Sequence, residues 1–208
     1  MPKVLPSYKE EARARIAGVA AELFVEKGFR AATMDDLAER LHVSKGALYL
    51  YFPSKVDLLR ELQAASQKAA REMLERALSG DDPAEELISR LDEVFSEMMD
   101  RRRTALWFEM MAEAAHDPAL RETIRFDNEQ DRRILGDFVR ALKRRGLVPA
   151  DEDPEVLTFL LLSVLHSVAW DLSVGSPVKQ TQHFLRAAVR RLLPPPPRRR
   201  GAPRARAR

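Results

Sequence analysis

Ser44 and Lys45 are the residues whose types and positions point most directly to binding chemistry. Ser44 is a favoured helix N-cap, and the helix that it opens can run only about two turns before Pro53 ends it. Lys45 lies in the first turn of that helix, where free backbone N–H groups and the positive end of the helix dipole favour an anion. The pair therefore predicts a phosphate contact, although helix capping alone would also explain Ser44.

A second short helix precedes this one in the sequence. Thr33 and Asp36 have the spacing of a capping box at its start. Its apolar residues recur at the spacing of a single helix face: Met34, Leu37, Ala38 and Leu41. Two short helices joined by a tight turn, over about residues 33–52, match the helix-turn-helix pattern, whose second helix enters the major groove of DNA.

The composition of the chain excludes several kinds of site. Its 208 residues include no cysteine, so disulfides, thiolate zinc sites and cysteine nucleophiles are ruled out. No Gly-rich phosphate loop and no nucleophile–base set accompanies the four histidines. We therefore expect no catalytic residues, no metal site and no cofactor, and we expect that the protein is not an enzyme.

Hydropathy predicts a cytoplasmic protein that does not contact a membrane. The first residues contain no apolar segment of signal-peptide length. The longest apolar stretch, residues 156–170, is interrupted by polar residues and is expected to be too short to span a bilayer.

The net charge of +3 is concentrated at the C-terminal end of the chain. Six arginines follow Pro197, so residues 1–197 sum to −3. A DNA-binding surface must therefore come from local placement of charge. Residues 194–208 are expected to form a disordered tail, because four prolines and an arginine run cannot bury a core. This tail would act either as a solubilising segment or as a phosphate tether.

The rest of the chain also has helical patterns, and no stretch of alternating β-branched residues competes with them. Four helix starts share a capping residue followed by proline: Asp82-Pro83, Asp117-Pro118, Asp153-Pro154 and Ser176-Pro177. The sequence predicts an all-α fold of about nine helices. A flexible arm (1–6) precedes an N-terminal three-helix domain (7–60), and a long fourth helix joins this domain to a C-terminal helical domain (61–193).

One string of residues spans both short helices: Thr33-Met34-x-x-Leu37-Ala38, then Val43-Ser44-Lys45-Gly46-x-Leu48-Tyr49-x-Tyr51-Phe52-x-x-Lys55-x-x-Leu58. This string resembles the DNA-binding domain of TetR-family transcriptional regulators, closely over about residues 10–70 and only in helical architecture beyond. The resemblance implies that one set of side chains faces the major groove: Lys45, Ala47, Leu48 and Tyr49. It implies that a second set contacts phosphates: Thr33, Tyr49, Tyr51 and Lys55, with Ser44 sharing its hydroxyl. Leu48 is also a candidate for the core.

Two positions depart from the family pattern. His42 stands where the turn usually carries glycine, a position expected to need a positive φ. Ala47 stands where the family often has threonine, so one hydroxyl contact to DNA is missing. The base-reading set is small: Lys45 could pair with guanine, and Ala47 could touch a thymine methyl group.

The resemblance further implies that residues 61–193 form a ligand-binding and dimerisation domain. Five of the seven methionines fall between positions 73 and 111, and methionine suits pockets that accept varied ligands. The candidate pocket residues are Phe95, Met98, Met99, Trp107, Met110, Met111, Asp127, Asn128, Asp131, His166 and Trp170. An ordinary core would explain the apolar members equally well. Glu109 and Glu113 are expected on the solvent side of helix 6.

Three polar residues of helix 7 fall on its apolar face: Asp127, Asn128 and Asp131. Buried acids without partners are costly, so their placement needs a reason. Either the helix kinks or protrudes into water here, or the three side chains line a pocket mouth and contact a polar or cationic ligand group.

Helices 8 and 9 are apolar over more than one face, so something outside the monomer must cover one of them. We expect a four-helix homodimer interface, with these candidate residues: Leu161, Leu165, Val168, Phe184, Leu185 and Ala188. His166 has no second histidine at ligand spacing, so a metal site is not expected there.

These expectations combine into one function. The protein would be a homodimeric DNA-binding transcriptional regulator, a repressor that leaves a palindromic operator when a small apolar or amphipathic effector binds its C-terminal domain. The alternative is a DNA-binding protein of the same fold without a small-molecule effector, which would be nucleoid-associated or controlled by a protein partner.

Overall fold

The computed structural model describes residues 6–98 and 101–193, and helices are the only regular elements in these ranges. They are α1 (Pro6–Lys27), α2 (Met34–Arg40), α3 (Lys45–Tyr49), α4 (Lys55–Leu78), α5 (Pro83–Met98), α6 (Arg101–Ala114), α7 (Pro118–Arg144), α8 (Pro154–Ser173) and α9 (Val178–Leu192). The predicted all-α fold is confirmed. Residues 1–5, Met99 and the predicted tail lie outside the described residues, as do the side chains of Phe95 and Met98.

Side-chain caps set most of the helix starts that the sequence predicted. The Thr33 hydroxyl accepts from the Asp36 N–H (3.1 Å), and the Asp36 carboxylate accepts from the Thr33 N–H (2.9 Å), which completes the capping box of α2. Asp153 caps α8 in the predicted way. The Ser176-Pro177 prediction is wrong, because Pro177 itself is the N-cap residue of α9 and no side chain caps that helix.

Two clusters of buried apolar side chains hold the helices together. The first surrounds the short helices and contains Phe24, Leu37, Leu48, Phe52 and Leu58. It also includes residues from the middle of the chain: Met110, Ala114, Leu120 and Ile124. The N-terminal helices therefore share a core with α6 and the first turns of α7. Because this core is close-packed, a shift of α6 changes the packing in both halves of the molecule.

The second cluster fills the C-terminal half. Helix α4 packs along α7, α7 packs on α8, and α9 closes the layer against α5 and α8. Polar contacts fix the outer helix: Arg186 pairs with Asp92 (2.8 Å), and Arg190 pairs with Glu85 (2.7 Å). This arrangement leaves room between α4, α6, α7 and α8, where a partly open cavity lies.

Candidate DNA interface and ligand cavity

The surface of α3 is small and mostly uncharged. Ser44 caps the helix by accepting from the Ala47 N–H at 3.2 Å. The Lys45 ammonium lies 2.5 Å from the Asp35 carboxylate, and both side chains are exposed. Tyr49 is 46% exposed, and the helix leaves the Gly46 backbone open to solvent. The face can therefore offer one ammonium, one phenol and a close backbone approach to DNA.

The structure corrects the placement of Leu48 and adds Leu50. Leu48 is only 1% exposed and belongs to the core around α1–α4, so it cannot reach a base edge. Leu50 is 82% exposed directly after α3, on the side that Gly46 and Tyr49 share. The motif string leaves position 50 undefined and so does not indicate this residue, although helical spacing from Gly46 places it on this face. An exposed leucine can contact a thymine methyl group.

Lys55 faces the protein in this structure. Its ammonium donates to the carbonyls of Phe29 (2.7 Å) and Arg30 (3.2 Å) and lies 4.9 Å from the centre of the Phe29 ring. Burial lowers the pKa of Lys55 below its usual value. The residue ties the start of α4 to the α1–α2 turn, and its phosphate contact stays a prediction.

Arg13 is a positioning residue that no motif revealed. Its guanidinium donates to the Glu61 carboxylate (3.0 Å from Nε) and to the Tyr51 carbonyl (2.7 Å), and it lies 4.2 Å from the centre of the Phe52 ring. These contacts fix α1 against the end of α3 and the side of α4. Tyr51 is half-buried against the same core, and its phosphate contact stays a prediction.

His42 confirms the expected conformation of the helix-turn-helix turn. Its φ is 54°, and it is the one non-glycine with positive φ in the described part of the chain. The following residue, Val43, donates to the Ala38 carbonyl at 3.0 Å and so terminates α2. The strained turn sets the angle at which α3 leaves α2.

A cavity of about 530 Å³ lies between α4, α6, α7 and α8. Its walls are mainly apolar, and seven of the predicted pocket residues line it: Trp107, Met110, Met111, Asp127, Asn128, Asp131 and His166. Trp170 does not line it, which corrects that prediction. Its ring is 55% exposed and packs edge-on against Phe108, with ring centres 5.2 Å apart. The volume is within the range of small-molecule sites, about 300–1,000 Å³.

Two carboxylates lie on the α7 wall of this cavity. Asp127 is 5% exposed, and its Oδ2 atom has no hydrogen-bond partner. Burial raises the pKa of Asp127 to about 6, with a further contribution from the charge of Asp131. Burial also raises the pKa of Asp131, against a hydrogen bond from Gln67 and the charge of His166. Asp127 is buried, so the alternative in which this turn carries the polar residues into water is wrong for Asp127, whereas Asn128 is exposed.

Helix α6 connects the cavity to the N-terminal helices. Glu109 accepts a hydrogen bond from the Arg30 N–H at 3.0 Å, and Glu113 lies 4.0 Å from the Arg30 guanidinium. Gly28, at φ 82°, leaves space that a Cβ atom would close, since that atom would lie 2.8 Å from a Glu109 carboxylate oxygen. Both glutamates are only partly exposed, because α6 crosses the α1–α2 turn, so the expectation that they face solvent holds only in part. The same helix lines the cavity through Trp107.

Exposed apolar side chains follow the outer face of α8, and two more lie on α9; together we call them the apolar stripe. Its members are Val156, Phe159, Leu160, Trp170, Val174, Val178 and Phe184. Three predicted interface residues, Leu161, Val168 and Leu185, are instead buried in the core of their own monomer, so a partner cannot contact them. Leu165 lines the cavity, whereas Phe184 is exposed and Ala188 is half-exposed. The prediction therefore named mainly residues of the inner face, and an interface through α8 and α9 stays a prediction.

Helix α8 also differs from expectation in its hydropathy. By length and composition its 20 residues would suffice to cross a membrane, although its inner face packs in the C-terminal core. Core helices pass the same test, so length and hydropathy alone do not place α8 in a membrane.

Comparisons with known proteins agree with this architecture. The family model of bacterial regulatory proteins of the tetR family matches residues 16–62, which contain α2 and α3. The C-terminal model of BetI-type transcriptional repressors matches residues 83–194, more than half of the chain. The chain belongs to the TetR family of transcriptional regulators. Regulators of this family bind DNA and small-molecule effectors and act as dimers.

Individual relatives of this TetR-family regulator span most of its length. It is 27% identical to the transcriptional regulator UidR of Escherichia coli over 164 residues, which are 77% of this chain and 81% of UidR. The structure resembles that of Salmonella enterica GusR, with a TM-score of 0.72, 25% identity, and coverage of 92% of this chain and 99% of GusR. It also resembles Thermus thermophilus FadR, a repressor solved with lauroyl-CoA (TM-score 0.62, 25% identity, 87% and 93% covered).

Proposed function

We propose that this TetR-family regulator is a cytoplasmic repressor that binds a palindromic operator as a homodimer and leaves it when a small molecule enters the cavity. The observation that carries the proposal is the position of α6. One side of that helix lines the cavity through Trp107, and the other side holds the α1–α2 turn through Glu109. A ligand that moves α6 must therefore move the helices that present α3.

The proposed DNA contacts follow from what α3 exposes. Lys45 exchanges its Asp35 partner for a guanine or a phosphate, and Leu50 contacts a thymine methyl group. Tyr49, the Tyr51 hydroxyl and Thr33 hold the backbone. So few base contacts give one subunit little specificity, and two recognition helices about 34–36 Å apart supply the rest.

The proposed dimer forms through the exposed apolar stripe of α8 and α9. Helix α8 is about 30 Å long at the usual helical rise, and the stripe follows its outer face from Val156 to Val174. Two such helix pairs would pack as a four-helix bundle and remove this surface from water. The second copy, rather than lipid or a different protein, is the cover we propose.

The proposed response is a population shift. Ligand binds more tightly to the conformer whose recognition helices no longer match the half-site spacing, so occupancy of the cavity lowers operator affinity. The relative FadR is a repressor with lauroyl-CoA bound, which supports a ligand-controlled repressor on this fold. A DNA-binding protein of this fold without an effector would have no need of an apolar cavity with two carboxylates in its wall.

Operator selection followed by a ligand screen tests the proposal. Selection from random DNA should yield a palindrome, and a small molecule that raises the melting temperature by mass action should also release the operator. Ligands that stabilise the protein without altering operator affinity would contradict the proposed release. Selection of DNA without a repeated half-site would contradict the dimeric operator.

Replacement of Glu109 by alanine is expected to uncouple ligand binding from operator release. The variant loses the Arg30 N–H bond while the cavity wall stays intact, because Glu109 is not part of that wall. Effector affinity should stay within about twofold, while the effector-induced loss of operator affinity, usually worth about 1–3 kcal/mol, should fall by at least half. Isothermal titration with and without operator measures both quantities.

Two further variants make this test specific. Glu109→Gln keeps an oxygen acceptor for Arg30 and should restore most of the coupling. Glu122→Gln removes an exposed glutamate that pairs with Arg125 of its own helix, and it should leave coupling unchanged. Full coupling in Glu109→Ala would show that α6 does not act through this bond.

A further inference from the structure

The unsatisfied oxygen of Asp127 is the least expected feature of the cavity. The residue is 5% exposed and its Oδ2 atom has no donor, although a buried carboxylate oxygen normally receives a hydrogen bond. The opposite helix, α4, places two neutral amides nearby: Gln67 donates to the Asp127 main-chain carbonyl (3.4 Å), and Gln63 interacts with its side chain. The cavity wall therefore lacks one hydrogen-bond donor.

No salt bridge between described residues compensates the charge of this wall. Asp131 lies one helical turn beyond Asp127 and lines the same cavity. Across residues 6–98 and 101–193, neither carboxylate forms an ion pair. Placing a buried acid next to a half-buried acid of like charge without an ion pair is costly. A bound cation would remove both deficits.

The basic groups of the chain near this wall are already engaged. Arg60 attracts Asp127 but is exposed and pairs with Asp57 at 3.0 Å. Arg103 lines the cavity and already interacts with other residues of the chain. His166 stacks on Trp107, with ring centres 5.3 Å apart. None of these groups forms a salt bridge with either acid, so a cationic ligand would supply the contact that the wall lacks.

We infer that the effector is an apolar amine, whose protonated nitrogen donates to Asp127 and Asp131 while its hydrocarbon body fills the rest of the cavity. This inference rests on the proposed function in one respect, namely that the cavity is the effector site. It goes further by fixing the charge and the hydrogen-bonding capacity of the head group. Trp107, Met110 and Leu161 supply apolar walls for the body.

The two acids discriminate among head groups both by charge and by hydrogen bonding. A quaternary ammonium brings charge but no N–H group, so it leaves the Asp127 oxygen without a donor. An alcohol brings a donor but no charge. A carboxylate adds a third negative charge beside two others and is repelled. The expected order of affinity is amine, quaternary ammonium, alcohol, carboxylate.

Four probes with the same ten-carbon chain test this order: decylamine, decyltrimethylammonium, decanol and decanoate. Binding is measured by calorimetry at pH 7.5 on the full-length protein without DNA. Decylamine should bind at least tenfold more tightly than decanol, and decanoate should bind most weakly. Equal affinity for decylamine and decanol would overturn the inference, as would preference for decanoate.

The double variant Asp127→Asn/Asp131→Asn separates charge recognition from hydrophobic binding. It should bind decylamine and decanol equally, with decanol affinity within threefold of the wild type. Its matched control, Asp137→Asn, removes an exposed acid of the same helix and should keep the full preference for decylamine. A preference that persists in the double variant overturns the inference, as does loss of both ligands to the same extent.

Operator release is measured separately with the selected DNA. Tight decylamine binding without operator release would refute the proposed function and leave the ligand chemistry standing. Operator release by uncharged ligands alone, with no preference for the amine, would refute the inferred ligand chemistry and leave the proposed function standing.

Discussion

Placing two glutamates in the apolar stripe, as Phe159→Glu with Phe184→Glu, is expected to produce a folded monomer that no longer holds its operator. Both phenylalanines are more than half exposed in the monomer, so their replacement should cost little of its stability. In the dimer the four introduced charges would be buried against one another without partners, which prevents association.

The loss of operator affinity should be large because the recognition helices act in pairs. Tethering two half-site contacts typically gains about 10²–10⁴ in affinity over one alone. We therefore expect operator affinity to fall at least about 100-fold, measured by electrophoretic mobility shift, with analytical ultracentrifugation reporting the monomer.

A control adds the same charge elsewhere. Ala69→Glu with Ala119→Glu places two glutamates at exposed positions of α4 and α7, outside the stripe. That variant should stay dimeric and bind the operator nearly as the wild type does. Operator binding of wild-type strength by the verified Phe159→Glu/Phe184→Glu monomer would refute the role assigned to the stripe.

Asp127→Asn is expected to stabilise the protein at pH 8 and to have little effect near pH 4. The pKa of Asp127 is about 6 in the folded protein and 3.8 in the reference state. Between these values the folded state keeps a proton that the unfolded state has lost, so the free energy of unfolding falls as the pH rises from about 4 to 6. Above pH 6 the full penalty is present, at most about 3 kcal/mol.

Asparagine resembles the protonated acid in shape and charge, so the variant escapes this penalty. At pH 8 its melting temperature should be several degrees higher, for a gain of about 1–3 kcal/mol that fades as the pH falls below 6. Thermal denaturation of ligand-free protein across pH 4–8, at one protein concentration, measures the difference. Asp137→Asn should show no such trend, and a pH-independent effect of Asp127→Asn would contradict the assigned cause.

Local rules made much of the fold predictable. Thr33 and Asp36 predict a helix start because a capping box involves only residues close in sequence, and the structure contains that capping box. His42 was predicted to adopt a positive φ because a turn at that place needs one, and its φ is 54°. The nine helical patterns also depend on spacing along the chain, which the sequence shows directly.

The misplaced residues depend on contacts between distant segments. Glu109 was assigned to solvent because a helix pattern shows opposite faces but not which segment covers each of them. Leu161 and Phe159 are both apolar residues of α8, and only the packing of α7 and α9 determines which of them is buried. No local sequence pattern indicated the positioning role of Arg13, because its partners lie 38 and 48 residues away. The cavity residues of α7 were identifiable because acids on an apolar face break a local pattern.

The two faces of α8 have a consequence for how a dimer would take up ligand. Its inner face forms part of the cavity wall through Leu165, and its outer face carries the proposed interface through Phe159. A ligand that displaces α8 in one subunit therefore displaces the surface on which the other subunit rests. The two binding steps would be unequal, and saturation curves would depart from a simple hyperbola, with a Hill coefficient different from one.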